Sequence, residues 1–223
     1  MIQLTADYLV VCSGAMGLAF VDELLCGDNK ATVILVDRYG SPGGHWNVAY
    51  SHVSLHQPAA FYAVNSASLG SGGTALARGT EVLTYFQNVV EKHQHSGRLK
   101  YFPKCEYLFE ETATHQFVSN VSGQKYEVSS VGSFVDATDM QVEVPSIRPA
   151  PFPVASEPKI VPPNALTTLN QAYEKYVIVG AGKTGMDAVL RLLDRGLSKT
   201  PSAGLCQTMH GYWIEPTFSP RGC

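Results

Sequence analysis

Apolar positions along this chain fall into two kinds of pattern. Near-continuous β-branched runs, YLVV at 8–11, ATVILV at 31–36 and YVIV at 176–179, have the unbroken apolarity of parallel strands covered on both faces. Stretches spaced near 3.6 predict helices from the residues after Gly14 to Leu25, over 80–95, and over 186–193. In the middle one Val82, Leu83, Phe86, Val89 and Val90 share a stripe, and Gly97 supplies the stop. Shorter strands are predicted at 99–102, 105–109, 115–121, 124–128 and 133–137, with a further one in 206–214. Gly40 to Gly44 and the serine- and glycine-rich residues 66–73 break the pattern into loops. Seven of the thirteen prolines lie between Pro145 and Pro163, a density that excludes helix or central strand. The predicted organisation is therefore an α/β domain over 1–144, a proline-rich linker over 145–165 and a second, partial α/β domain over 166–223.

Sliding the sequence along itself exposes an internal repeat. YLVVCSGAMGLAFVDELLCG matches YVIVGAGKTGMDAVLRLLDRG at a constant offset of 168, pairing Val11 with Val179, Gly14 with Gly182 and Gly17 with Gly185. Each copy reads as strand, glycine-rich turn, helix. The second copy, Gly180-Ala181-Gly182-Lys183-Thr184-Gly185, is a G-x-G-x-x-G fingerprint in the setting the motif needs. Its first glycine permits the tight turn, its second lets the main chain approach a pyrophosphate, and its third allows close packing of helix on strand. The anion would rest on the helix N-terminus, beside Lys183 and Thr184.

The first copy carries Cys12 where the second has Gly180, followed by Gly14, Ala15 and Gly17. A side chain there must adopt dihedrals that glycine normally fills, at a cost of about 1 to 3 kcal/mol, and weakened binding is expected. Asp37 closes the second strand 23 residues after Gly14, near the spacing of an acid that accepts hydrogen bonds from a ribose, with Arg38 beside it.

Composition narrows the classes. Apolar residues make up 45% of the 223 and charged residues 16%, a globular mixture. A net charge of -3 with no basic run argues against nucleic acid as a partner. The five cysteines, Cys12, Cys26, Cys105, Cys206 and Cys223, are scattered and never spaced C-x-x-C, so they suggest neither disulfides nor a zinc site, and a reducing, cytoplasmic setting is expected. The apolar stretch 8–25 has the length of a membrane span but contains Asp22 and Glu23, so no membrane association is expected. His52 and His56 are four apart, as a metal pair on a helix would be, but Pro58 argues against that helix, and packing or surface roles are favoured for them and for His45. His93 and His95 read as a polar helix end.

Together the first glycine turn, the acid of VILVDR, the SPGGHW segment and the second glycine turn resemble the two-dinucleotide flavoproteins, most closely the flavin-containing monooxygenase group of FAD/NAD(P)-dependent oxidoreductases. The resemblance implies a Rossmann-like FAD/NAD(P)-binding fold with two dinucleotide-binding segments, the second incomplete. It implies FAD at the first segment, NADP or NAD at the second, and a small-molecule substrate. Gly43, Gly44 and Trp46 would lie along the FAD. FVDATDM resembles the family's ATG-type segment, which places Thr138 near the cofactor and Asp139 where the family has glycine; Glu106 and Tyr107 fall on the strand that flanks the adenine. No catalytic side chain is implied. The chain ends 38 residues after Gly185, short of the rest of that family's pattern, so an unfinished sheet open to homo- or hetero-association is expected, and Glu215 mildly favours NADH. Two readings stay open: an oxidoreductase of monooxygenase type, and a truncated, inactive nucleotide-binding or interaction protein.

Overall fold

The computed structural model describes residues 1–109, 114–129, 132–138, 150, 152–156, 158–171, 173, 175–180, 182–196 and 203–206. Contacts divide the chain into two units, one of Met1–Ala49 with Gln57–Val142, the other of Tyr50–His56 with Glu143–Cys223. Nothing in the sequence pattern marks Tyr50–His56 as part of the second unit.

In the first unit, β2 (Tyr8–Val11), β3 (Val33–Val36), β4 (Leu99–Phe102) and β8 (Ser133–Asp136) form an all-parallel sheet in the order β4-β3-β2-β8. Register aligns Leu9 with Ile34 and with Phe134. All four residues of β3 are buried, which explains the unbroken VILV run. Helix α1 (Ala15–Gly27) and helix α2 (Gly79–His95) cover this sheet, and Leu18, Val21, Val82, Phe86 and Val90 are fully enclosed. The carboxylate of Glu81 accepts the Arg78 N–H at 2.7 Å and so fixes the start of α2. Gly97, at φ +75°, ends it.

A second sheet, β1-β7-β6-β5, sets β1 (Ile2–Thr5) parallel to β7 (Lys125–Ser129), followed by antiparallel β6 (His115–Ser119) and β5 (Cys105–Tyr107). Ala6, Leu9, Ile34, Val36, Cys105, Phe117 and Val128 form one core shared by the two sheets. β1 escaped the sequence reading because IQLT is short and half polar. Two single-turn 3-10 helices, Gly44–Val48 and Ala59–Tyr62, also went unread.

In the second unit β9 (Tyr176–Val179) pairs in parallel with β10 (Ala203–Cys206), and α3 (Lys183–Asp194) packs through Ala188 and Leu192 onto Leu166, Tyr176 and Ile178. Leu166 belongs to a 3-10 turn, Pro163–Thr168, at the end of the proline-rich stretch. β10 ends at Cys206, where the strand expected in 206–214 begins; 207–214 lie outside the described residues, as do Asp139 and Glu215. Val177 and Val179 of β9 are exposed.

One expectation is corrected outright. His93 is not a polar helix end: it is 3% exposed, and its Nε2 lies 2.8 Å from Oδ1 of Asp22, itself 1% exposed. Position 93 falls on the apolar stripe of α2, one turn beyond Val89 and Val90, and so faces α1. His95 is exposed, its Nδ1 2.6 Å from the Glu91 carbonyl.

One side chain bridges two points of the loop before α2. Tyr85 Oη accepts the Val64 N–H at 2.7 Å and donates to the Ala67 carbonyl at 2.7 Å. Tyr85→Phe leaves the buried Val64 amide without an acceptor, so a loss of about 1 to 3 kcal/mol in denaturant unfolding is expected, with faster amide exchange over 64–67.

Candidate functional site

The site begins at the end of β2. Cys12 holds φ +85° and its N–H bonds the Val36 carbonyl at 2.8 Å, so the turn keeps a glycine-type conformation without glycine. Gly14 is the N-cap of α1, and the first intrahelical bond runs from Leu18 N–H to the Gly14 carbonyl at 2.9 Å. The amides of Ala15, Met16 and Gly17 therefore have no partner within the helix. A glycine N-cap brings no side chain to them, and the first turn carries no acid. Such a helix end favours an anion.

Glycine is required here by contact. A Cβ on Gly17 would stand 2.0 Å from the Cys12 carbonyl oxygen, and one on Gly44 would stand 2.9 Å from Gly14 Cα. Gly43, at φ +126°, donates its N–H to the Ser13 carbonyl at 2.8 Å. The SPGGHW loop is thereby pressed onto the fingerprint turn. Asn47 staples it, accepting from Ser41 Oγ at 2.6 Å and donating to the Ser41 and Gly44 carbonyls. Trp46 lies in the following 3-10 turn, its ring 5.2 Å from that of His45.

Asp37 is buried at the end of β3. One of its oxygens accepts both the N–H and the hydroxyl of Ser13 at 2.6 Å, and the other accepts the Tyr39 N–H at 2.7 Å. A carboxylate offers about four lone-pair positions, so about one is left for a further donor. Ser13 also meets Tyr101 Oη at 3.4 Å, and burial pushes the Tyr101 hydroxyl far above its ordinary range, which keeps it protonated. Ser13, Tyr101 and Asn47 were missed by the sequence reading. A hydroxyl inside the fingerprint, adjacent to the acid-bearing strand, is the signal that could have found Ser13.

Arg38 is exposed, its guanidinium 5.0 Å from the Tyr39 ring centre. Thr138 follows β8, bonded through N–H and hydroxyl to Asp136 Oδ1 at 2.9 and 2.5 Å, next to Ala137, whose N–H bonds the Val11 carbonyl. Tyr107 lies in an aromatic cluster: its ring stacks on Phe134 at 5.1 Å and its hydroxyl meets His115 Nδ1 at 2.8 Å. Burial raises the Cys12 thiol, which therefore stays uncharged.

The second unit repeats the turn. Gly180 stands at φ +115°, Gly182 is the N-cap of α3, and a Cβ on Gly185 would lie 2.2 Å from the Gly180 carbonyl oxygen. Lys183 bonds the carbonyl of Ser54 and pairs with Asp187, which accepts from Tyr50 Oη at 2.7 Å. Burial, with Asp187 adding to it, pushes the Tyr50 hydroxyl up to about 12. Residues 50–56 contain no helix, so His52 and His56 do not share a helical face. Both ring nitrogens of His52 are buried with no hydrogen-bond partner among the described residues, and burial lowers its pKa.

No family model matches the chain. It is 43% identical over 198 residues to uncharacterized proteins of Mycobacterium tuberculosis and Mycobacterium bovis, a match that covers 84% of this chain and 36% of each relative. The chain thus spans about a third of the length of the curated relatives it matches. Among solved structures it superposes on a bacillithiol disulfide reductase from Staphylococcus aureus with a TM-score of 0.56 at 17% identity, over 91% of this chain and 60% of that one. It superposes on cyclohexanone monooxygenase with a TM-score of 0.53 at 18% identity, over 90% and 39%.

The clearance at Gly17 sets a clean test. Gly17→Ala should lower stability by about 3 kcal/mol or more, because Cβ meets a main-chain oxygen that the sheet holds in place. Gly27→Ala, at the open end of the same helix where nothing lies within 4 Å, should be neutral or stabilising by about 0.5 to 1 kcal/mol. Urea unfolding of both variants checks the contrast.

Proposed function

We propose that this chain forms the FAD-binding part, and the beginning of the NADPH- or NADH-binding part, of a flavin-dependent oxidoreductase, monooxygenase-like in its chemistry, acting on a small organic substrate. Its Rossmann-like FAD/NAD(P)-binding flavoprotein fold, shared with the reductase and the monooxygenase, supports that reading. The observation that carries this reading is the uncapped N-terminus of α1, with glycine demanded by contact at 17 and 44 and a buried acid at the neighbouring strand end.

These residues fit FAD. The amides of Ala15, Met16 and Gly17 would hold the pyrophosphate, and Gly14 and Gly44 leave main chain bare where it must approach. The unclaimed position on Asp37 would accept a ribose hydroxyl, while Ser13 holds the carboxylate in place before any ligand arrives. Lys183 and Thr184 stand at the first turn of α3, where a second pyrophosphate would rest. Bound FAD supplies the hydride-accepting and oxygen-reactive chemistry. The protein orients and shields it. Among the described residues no helix is long and apolar enough to cross a membrane, and a small molecule is the substrate class proposed.

A specific observation favours the second reading, a nucleotide-binding protein without turnover. Lys183 is already engaged by Ser54 and Asp187, and Cys12 sets a thiol where the second copy has bare main chain, with Sγ 3.4 Å from the position of a Gly14 Cβ. Titrating the purified chain with FAD separates these. Quenching of flavin fluorescence, then bleaching of the bound flavin by NADPH or NADH, is the expected result; quenching without bleaching supports the second reading, and neither removes both. In the same assay Cys12→Gly is expected to tighten FAD binding several-fold by removing the Sγ that stands beside Gly14. Equal or weaker retention by the variant would show that Cys12 is no obstacle.

A further inference from the structure

Away from both glycine turns, α1 and α2 bring three side chains of different chemistry together. Asp22 and Cys26 are one helical turn apart on α1 and so share a face. His93 reaches the same point from α2. A carboxylate oxygen of Asp22, Cys26 Sγ and His93 Nε2 all lie within 4.8 Å of one another. Asp22 and His93 are buried, whereas Cys26 is exposed, so the cluster is enclosed on the protein side and open to solvent at the thiol.

We propose that Asp22, Cys26 and His93 form a binding site for a zinc-like divalent cation that clips α1 to α2. The donor set is one oxygen, one sulfur and one imidazole nitrogen, which suits a borderline-soft, tetrahedral ion such as Zn²⁺ and not Mg²⁺ or Ca²⁺. Distances require little adjustment. The His93 Nε2 to Asp22 Oδ1 pair stands at 2.8 Å and the Cys26 Sγ to Asp22 Oδ1 pair at 4.0 Å. Around a tetrahedral zinc with ordinary bond lengths these become about 3.3 and about 3.6 Å, shifts of about half an ångström each, while the Cys26 Sγ to His93 Nε2 pair, within 4.8 Å, closes to about 3.6 Å. Rotamer motion on two packed helices covers that.

Charge also closes. The thiol gives up its proton to solvent and binds as thiolate, His93 binds as the neutral imidazole, and Asp22 binds as carboxylate. Two negative ligands then neutralise the dication, so the buried site carries no net charge. A water on the solvent side completes the fourth position.

The carboxylate is already aimed by a second layer. Ser66 donates its hydroxyl to Asp22 Oδ1 and its N–H to Oδ2 at 3.0 Å, and Lys92 Nζ donates to Ser66 Oγ at 2.7 Å. Such outer partners orient ligating groups in metal sites. They also join the loop around Ser66 to the clip. No short metal-binding spacing such as C-x-x-C joins these three ligands, because they come from two helices 67 positions apart at the nearest, and that hid the site from the sequence.

The test uses the full chain, freed of metal, titrated with Co²⁺ and with Zn²⁺. Expected are a thiolate-to-cobalt charge-transfer band with tetrahedral d–d absorption at one equivalent, and a rise in Tm of about 5 °C at a hundredfold excess of Zn²⁺ over its Kd. Cys26→Ser, a change at an exposed position that should leave the fold intact, is expected to abolish the charge-transfer band and most of the Tm rise. Cys12→Ser should keep both. No charge-transfer band at a large excess of Co²⁺, or a band unchanged in Cys26→Ser, overturns the proposal and leaves the cluster as a hydrogen-bonded joint between helices. Neither result depends on whether FAD binds.

Discussion

Helix α1 begins so close to the end of β2 that a methyl group at position 17 would overlap the carbonyl oxygen of residue 12, at 2.0 Å. Such contact is what lets a helix start within three residues of a parallel strand while its first amides face the open end of the sheet. Everything at that end depends on it. The Gly43–Gly44 main chain can settle on the turn only because Gly14 presents no side chain, and Ser13 can reach Asp37 only because the turn is this tight. The same clearance recurs at Gly185 over Gly180, at 2.2 Å. Two copies 168 residues apart obey one steric rule although their side chains differ.

Behind the turn, polar groups do what glycine cannot. Ser13 after β2, Asp37 after β3 and Tyr101 on β4 form a chain of contacts across three adjacent parallel strands. Each member is held by another, so burying an acid there leaves few lone pairs unmatched. The loops that follow are tied in turn: Lys104 N–H bonds the Tyr39 carbonyl at 2.8 Å and Cys105 N–H bonds the Asp37 carbonyl at 2.9 Å. The acid reaches any ligand already oriented. It does not need the ligand to order it.

Most of the architecture was legible because burial and periodicity are local. The VILV run, the α2 stripe and the internal repeat each state their own geometry, and the structure places β3, α2 and the two fingerprint helices where those patterns lie. What escaped is what needs partners distant in sequence. His93 and Asp22 look polar one at a time and become interior only as a pair, which is why the helix-end reading of His93 failed. β1 has no apolar run of its own and is recruited by β7, 124 positions later at Ile2 and Tyr126. Tyr50 and Lys183 meet over Asp187 for a similar reason: nothing near Tyr50 announces that the segment will pack in the second unit.

Strain in the first unit has an address. Among the described residues two that are not glycine hold positive φ, Cys12 at +85° and Lys104 at +51°, and both sit in turns that leave the C-terminal ends of parallel strands, β2 and β4. Lys104 is forced there because its N–H and carbonyl are both claimed, by Tyr39 and by Asn120, and its Cε already lies 2.9 Å from where a Gly40 Cβ would be. Cys12 is forced by the helix start described above. In neither turn does the local sequence prefer the conformation; the sheet imposes it. Strain of this kind persists only where surrounding contacts over-determine the backbone, and it gathers where main chain must approach a ligand. Among the described residues of the first unit it lies at the ends of β2 and β4, the two strands that flank β3 and its buried acid, and not on the α1–α2 face.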